Sequence, residues 1–393
     1  MVRADYAGCG KTFACEYMKS LGHTVLFVVP NNELINNTTC DGVTVNIFFS
    51  VGMTEESKMK KFDSSMYDVI VFDEICLVDL TFLSRIRSFC SNNADKIIVA
   101  TGDTKQLKPI NAISNCHEDQ KAYRNHCINT IFPYNINLKI IKRAETPEDM
   151  QKLIKFTEDI FDESIPVKTT LQKYFTFTKD ITTETNIAHT NDMCSLVASI
   201  VRKNLNKSSE YEVGEILVCR KYFKIPDKAT NKHIKFNVNI KFMITNIDKS
   251  VITIRNCNTD ETTDVNITLI RDSFILGYCR TSYSYQGSTI RDKMTIFEWD
   301  HYFVDREWIY TAITRCNKIG NVLIYNGGYK TEEFNKQKLE CYLTKKINGY
   351  IAQDNKAKRK INKDNYITKV RVSVVDVGVI FNSRVALMAR FLI

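Results

Sequence analysis

The sequence predicts an α/β protein built on parallel sheets with helices on both faces. Three observations lead there. A glycine-rich turn, AGCGKT at 7–12, runs into a helical rhythm over 13–21 and then into an apolar stretch, TVLFVVP at 24–30. Two further short apolar runs, YDVIVFD (67–73) and KIIVAT (96–101), are separated by segments long enough for helices, notably 80–90. Strands joined by helical crossovers pair in parallel. The same alternation returns late in the chain, over SYSYQGSTI (282–290) and YTAITRCNKIGNVLIYNG (310–327). A chain of 393 residues has room for about two to three such domains.

The first element is the turn itself. Gly8, Cys9 and Gly10 can bring successive backbone N–H groups onto phosphate oxygens. Lys11 adds a mobile positive charge, expected to face solvent, and the Thr12 hydroxyl can hold magnesium. A helix starting beneath the turn directs its positive end at the same phosphates, and Gly22 is its stop. Phosphate-binding turns of this kind carry a glycine six residues before the lysine, where this chain has Asp5. With four residues ahead of Asp5, the feeding strand is expected to be missing or very short. That implies either a fragment of a longer polypeptide or a nucleotide site built unusually at its front.

The strand YDVIVFD ends in Asp73 and Glu74, and KIIVAT leads into GDTKQLKP (102–109). Both fall at the carboxyl ends of strands, where open α/β sheets bind ligands. Asp73 can hold Mg²⁺ while Glu74 orients or deprotonates an attacking water. Gln106 sits where an amide can sense a γ-phosphate or its water, and Asp103 can brace that loop. A second block opens near residue 136 with INLKIIKR, read as a strand ending at Arg143, then a helix from Pro147 to Phe161. TETNIAHTN (183–191) leads into a helix over 192–204. From 211 to 276 the pattern shifts to short Val-, Ile- and Thr-rich strands, a small β-rich insertion. Arg315 lies in YTAITRC, and arginine offers permanently charged planar donors to a phosphoryl group. Residues 331–369 carry many lysines, including KAKRK at 356–360: a helix with a solvated basic segment, or a nucleic-acid or localisation tail.

Composition sets limits on function. The chain carries 54 Lys+Arg against 45 Asp+Glu, a net +9 that permits nucleic-acid contact without demanding it. Its 13 cysteines are odd in number, and none pair as CxxC, which points to a reducing compartment and not a disulfide framework. The densest metal-like group is Cys116, His117, His126 and Cys127, but adjacent ligands rarely both point inward. No uncharged span of transmembrane length occurs, although the last stretch of the chain is unusually apolar.

Taken in order, AGCGKT, VFDEI, GDTKQLKP, IKR, YSYQGSTI and YTAITRC resemble superfamily 1 helicases, nearest the RecD/Pif-like branch, over residues 4–327. The resemblance implies two RecA-like P-loop NTPase domains, 1–135 and 136–330, with an SH3-like insertion at 211–276 touching single-stranded nucleic acid and a C-terminal extension at 331–393. It implies ATP and Mg²⁺ as ligands. Gly8, Cys9, Gly10, Lys11, Thr12 and Asp73 hold the nucleotide and metal; Glu74, Gln106, Arg143 and Arg315 serve catalysis, the last two as arginine fingers. Gln286 and Gly287 match the motif that couples nucleotide to strand, and Thr190 and Asn191 resemble the fourth-motif region. The implied activity is 5′–3′ translocation on single-stranded or fork DNA, with other replication proteins as partners and no membrane. An RNA helicase, or an impaired nucleic-acid-binding scaffold in a replication complex, stands as the alternative. The motif wording and the Asn, Ile and Lys bias suggest a large DNA virus or mobile element, placed in a host nucleus or viral replication site.

Overall fold

The computed structural model describes residues 1–35, 38–51, 62–107, 117–226 and 233–327. Lys108 and Pro109 of GDTKQLKP, Cys116 of the metal-like group and the extension 331–393 lie outside the described residues.

Six parallel strands make the first sheet: β1 (Val2–Ala4), β2 (Val25–Val29), β3 (Asp41–Thr44), β4 (Val69–Phe72), β5 (Ile97–Gly102) and β6 (Ile136–Leu138), in the order β3-β2-β4-β5-β1-β6. Every residue of β2 and β4 is buried, as unbroken apolar runs covered on both faces require. One face packs Phe72 against Phe48 and Phe89 of the flanking helices. The feeding strand, expected missing or very short, is the second of these: three residues set between β5 and β6, with Val2 opposite both Thr101 and Ile136.

Two readings of the next segment change. INLKIIKR is a strand only as far as Leu138, not to Arg143. Its partner is β1, and when β1 turns into the loop at Asp5, whose N–H donates to Leu138 O at 3.1 Å, the pairing ends. Because β6 hydrogen-bonds within the first sheet, that sheet runs past residue 135 to Leu138.

The second sheet uses β7 (Thr176–Thr178) and β8 (Thr185–Ala188), after which the helix Asn191–Asn204 leads into an insertion. The insertion holds β9 (Ile216–Cys219), β10 (Phe223–Pro226), β11 (His233–Phe236), β12 (Lys241–Asp248), β13 (Val251–Asn256), β14 (Thr262–Asn266) and β15 (Phe274–Leu276). Five of them form an antiparallel sheet, β14-β13-β12-β9-β15, and the β10–β11 hairpin packs against it. Alternation does the work here: Ile252 and Ile254 of β13 are fully buried, while Phe223 stacks on Phe236 at 4.4 Å. The chain then returns as β16 (Cys279–Thr281), β17 (Met294–Ile296) and β18 (Val322–Tyr325), giving a parallel sheet β16-β8-β17-β18-β7.

A single apolar cluster joins the two halves. It contains Ala4, Ala7, Cys9 and Leu107 from the first, with Trp308, Tyr310 and Ile313 from the helix Arg306–Ile313 of the second. This shared core fixes the cleft described next.

Candidate active site

The turn between β1 and the helix Lys11–Ser20 is held by its glycines. Gly8 and Gly10 have φ of +80° and +79°, conformations that suit glycine. A Cβ at Gly8 would stand 2.5 Å from Cβ of Arg143. That close approach lets Gly8 O accept from the N–H of Lys142 (2.7 Å) and of Arg143 (3.2 Å). Asp5 is not among the residues with positive φ, so nothing in its backbone calls for the usual glycine. The N–H of Ala7 donates to the Tyr310 hydroxyl at 2.7 Å, tying the turn to the second half.

Asp73 and Glu74 leave the end of β4, and Glu74 takes a left-handed backbone, φ +50°. Asp73 is buried and accepts from the hydroxyls of Thr101 and of Thr12, the latter at 3.4 Å. Burial, then the neighbouring Glu74 charge, raises the Asp73 pKa. Lys11 Nζ lies 3.7 Å from Glu74 Oε1 and is only 7% exposed, so the expectation that it faces solvent is corrected. Three carboxylates draw it inward. Burial alone would lower its pKa, but Glu74, Asp103 and Asp73 outweigh that and raise it.

Gln106 follows β5; its side-chain amide donates to Asp103 Oδ2 at 3.0 Å and its oxygen accepts from Arg315 Nη2 at 3.3 Å. Arg315 is 2% exposed, and its Nε also donates to Thr311 O. Burial, then the nearby Arg143 charge, lowers its pKa to about 10, far enough above neutrality to leave it charged. Arg143 is lowered by burial as well, and its Nη1 donates to Thr314 O at 2.8 Å. Together these groups line a cleft of about 480 Å³ whose walls include Gly8, Lys11, Thr12, Asp73, Glu74, Gln106, Arg143, Gly287 and Arg315.

Not every expected residue is there. Gly287, at φ +90°, lines the cleft, but Gln286 does not; it is 1% exposed and both polar atoms of its amide lack a partner among the described residues. Thr190 and Asn191 also lie outside the lining. The Thr190 hydroxyl caps the helix Asn191–Asn204 through Met193 N–H and donates to Glu298. Sequence reasoning missed Thr101, Tyr310 and Thr311, which brace Asp73, Ala7 and Leu107. Thr101 had a local signal, a hydroxyl at the end of an apolar strand. The other two had none, because their partners are remote in sequence.

The donor set fits a divalent cation. A threonine hydroxyl and a carboxylate 3.4 Å apart are hard oxygen ligands, and a buried Asp73 beside Glu74 is a site that gains from added positive charge.

No protein-family model and no curated protein matches the chain. Solved structures do. A Pif1 from Bacteroides bound to ssDNA is 17% identical, with 85% of this chain and 89% of that one covered at a TM-score of 0.51. The Pif1 helicase from Candida albicans is 14% identical over 88% and 95%, TM-score 0.56. Bacteroides Pif1 in complex with ADP-AlF3 and ssDNA is 16% identical over 86% and 93%, TM-score 0.52. At these identities the likeness is one of fold: two parallel α/β domains of the RecA kind, the second carrying a β-rich insertion.

Proposed function

We propose that a chain with the Pif1-like helicase fold, bearing these residues in its cleft, is an ATP-driven motor that moves along single-stranded DNA in the 5′–3′ direction and unwinds duplex ahead of it. The observation that carries this reading is the cleft itself. Lys11, Thr12, Asp73 and Glu74 come from the first half, Arg315 and Gly287 from the second, and Arg315 already reaches Gln106 across the gap. A nucleotide bound there touches both halves, so turnover can open and close them.

Each group then has a part. Backbone N–H groups from Gly8 to Lys11 and the helix N-terminus bind the phosphates. Thr12 and Asp73 would hold Mg²⁺, which when bound neutralises charge on the phosphate oxygens. Glu74 orients the attacking water, and Lys11, Arg143 and Arg315 stabilise charge at the terminal phosphate. Support for the DNA track comes from the fold's solved relatives, described as bound to ssDNA and as acting on forked dsDNA. Two motor domains, the first reaching Leu138 and not ending at residue 135, and a viral or mobile-element source acting in a reducing compartment, belong to the same proposal.

The test is ATP turnover with and without single-stranded DNA. Wild-type protein should be stimulated by the strand. Glu74→Gln should keep nucleotide affinity within a few-fold and lose turnover by about 10²–10⁴, as expected for a lost base or water-orienting group. An affinity collapse with unimpaired single-turnover hydrolysis would reverse the roles of the two acids.

A further inference from the structure

Phe13 is 71% exposed, among the most solvent-accessible phenylalanines of the described residues, yet it forms part of the wall of a polar cleft. Leaving a phenylalanine in water forgoes most of the benefit of burying it. Leu34, from the short helix after β2, lines the same region with an aliphatic surface, and Glu16 completes it. Phe13 and Glu16 lie three residues apart on one helix, hence on one face, directly beyond Lys11 and Thr12. The carboxylate of Glu16 is already engaged: Oε1 accepts from the N–H of Thr39 at 2.6 Å and from its hydroxyl at 3.4 Å. The region next to the phosphate turn is therefore a flat aromatic and an aliphatic side chain, with a polar neighbour whose Oε1 is committed to Thr39.

We infer that Phe13, with Leu34 lining the same region, is the stacking platform for the base of the bound nucleotide, and that it recognises a flat ring and not adenine's hydrogen-bonding edge. This rests on the nucleotide-motor reading and names how that site holds its substrate. Stacking tolerates any base, because each presents a π-face. Purines, with the larger ring area, gain more than pyrimidines. Tyr17 on the same helix and Leu21 at its C-cap continue an exposed stripe, at 57% each, but neither lines the cleft. A docking stripe for some other segment would use Phe13 and Tyr17 alike; a base platform uses Phe13 alone.

Equilibrium binding of ADP, GDP, UDP and inorganic pyrophosphate, each with Mg²⁺, separates these outcomes. Phe13→Ala should weaken ADP and GDP by about tenfold and leave pyrophosphate unchanged, since pyrophosphate has no base to stack. Phe13→Trp should restore ADP binding, and Tyr17→Ala should leave it as in the wild type. Equal losses for ADP and pyrophosphate, no loss for either, or a matching effect of Tyr17→Ala would overturn the platform. Wild-type preference for ADP over GDP by more than about a hundredfold would overturn recognition by ring alone. Failure of wild-type protein to bind either ADP or pyrophosphate would sink the nucleotide reading of the whole cleft, and this inference with it.

Discussion

A methyl group at position 8 would meet Arg143 Cβ at 2.5 Å on a backbone held at φ +80°. Neither problem has a cheap relief, since the contact is with the base of a side chain and the conformation disfavours any L residue. Gly8→Ala is therefore expected to push Arg143 out of the cleft and cut ATP turnover by about a hundredfold, the scale at which a displacement of ~1 Å costs activity. Turnover beside a thermal unfolding curve checks it; a normal rate would mean that Arg143 has no part in the chemistry. The glycine is legible in the sequence as part of a tight turn, but its role as the seat of Arg143 is not, because Arg143 lies beyond the far end of the first sheet in sequence. Lys11 shows the same limit. Its identity was plain from AGCGKT, while its burial depends on Glu74, Asp103 and Asp73 converging from other strands. Phe13 carried no motif at all and emerges only from an exposed ring on a cleft wall.

Elements were legible in proportion to their length. The strands β2, β4 and β5 announce themselves as apolar runs, and the helix Pro147–Phe161 begins with its proline in the first turn and Thr146 as cap. Three residues such as Val2–Ala4 have no periodicity to read; they become a strand because Thr101, Gly102 and Ile136–Leu138 flank them. Arg143 reads as a strand residue for the converse reason, an apolar run whose pairing partner ends before it. Thr190 is another element-scale case. It resembles a motif residue, yet its hydroxyl caps Met193 N–H at 3.2 Å and reaches Glu298. Thr190→Ala should lower the unfolding free energy by about 1–2 kcal/mol, the usual loss of a cap, and leave ADP affinity unchanged. Urea denaturation and nucleotide titration on the same preparation test both halves; a weakened ADP affinity in a stable protein would give Thr190 a part in the cleft.

At the scale of the molecule, one link between the halves passes through the cleft: the Arg315 guanidinium bridges Thr311 on its own side and Gln106 on the other. Arg315→Ala should reduce turnover by about 10³-fold or more and ADP affinity only a few-fold, because a diphosphate lacks the group this arginine serves. Arg315→Lys keeps the charge but loses the planar fork, and should recover little. ADP binding lost in parallel with turnover would make Arg315 a general anchor and remove it from closure. The same bridge bears on movement. If turnover opens and closes the halves, a strand gripped by both advances by one partial release per cycle, which requires contacts that ignore base identity. Binding should then favour single strands and weaken with salt, log K falling with log[salt] at a slope near −0.7 per phosphate neutralised. Direction is read by placing streptavidin on biotin at either end of a single-stranded oligonucleotide. ATP-dependent displacement from the 3′ end alone fits 5′–3′ travel. Displacement from the 5′ end alone would reverse the proposed direction and keep the motor, while release without ATP at either end would leave a cleft that binds nucleotide and drives nothing.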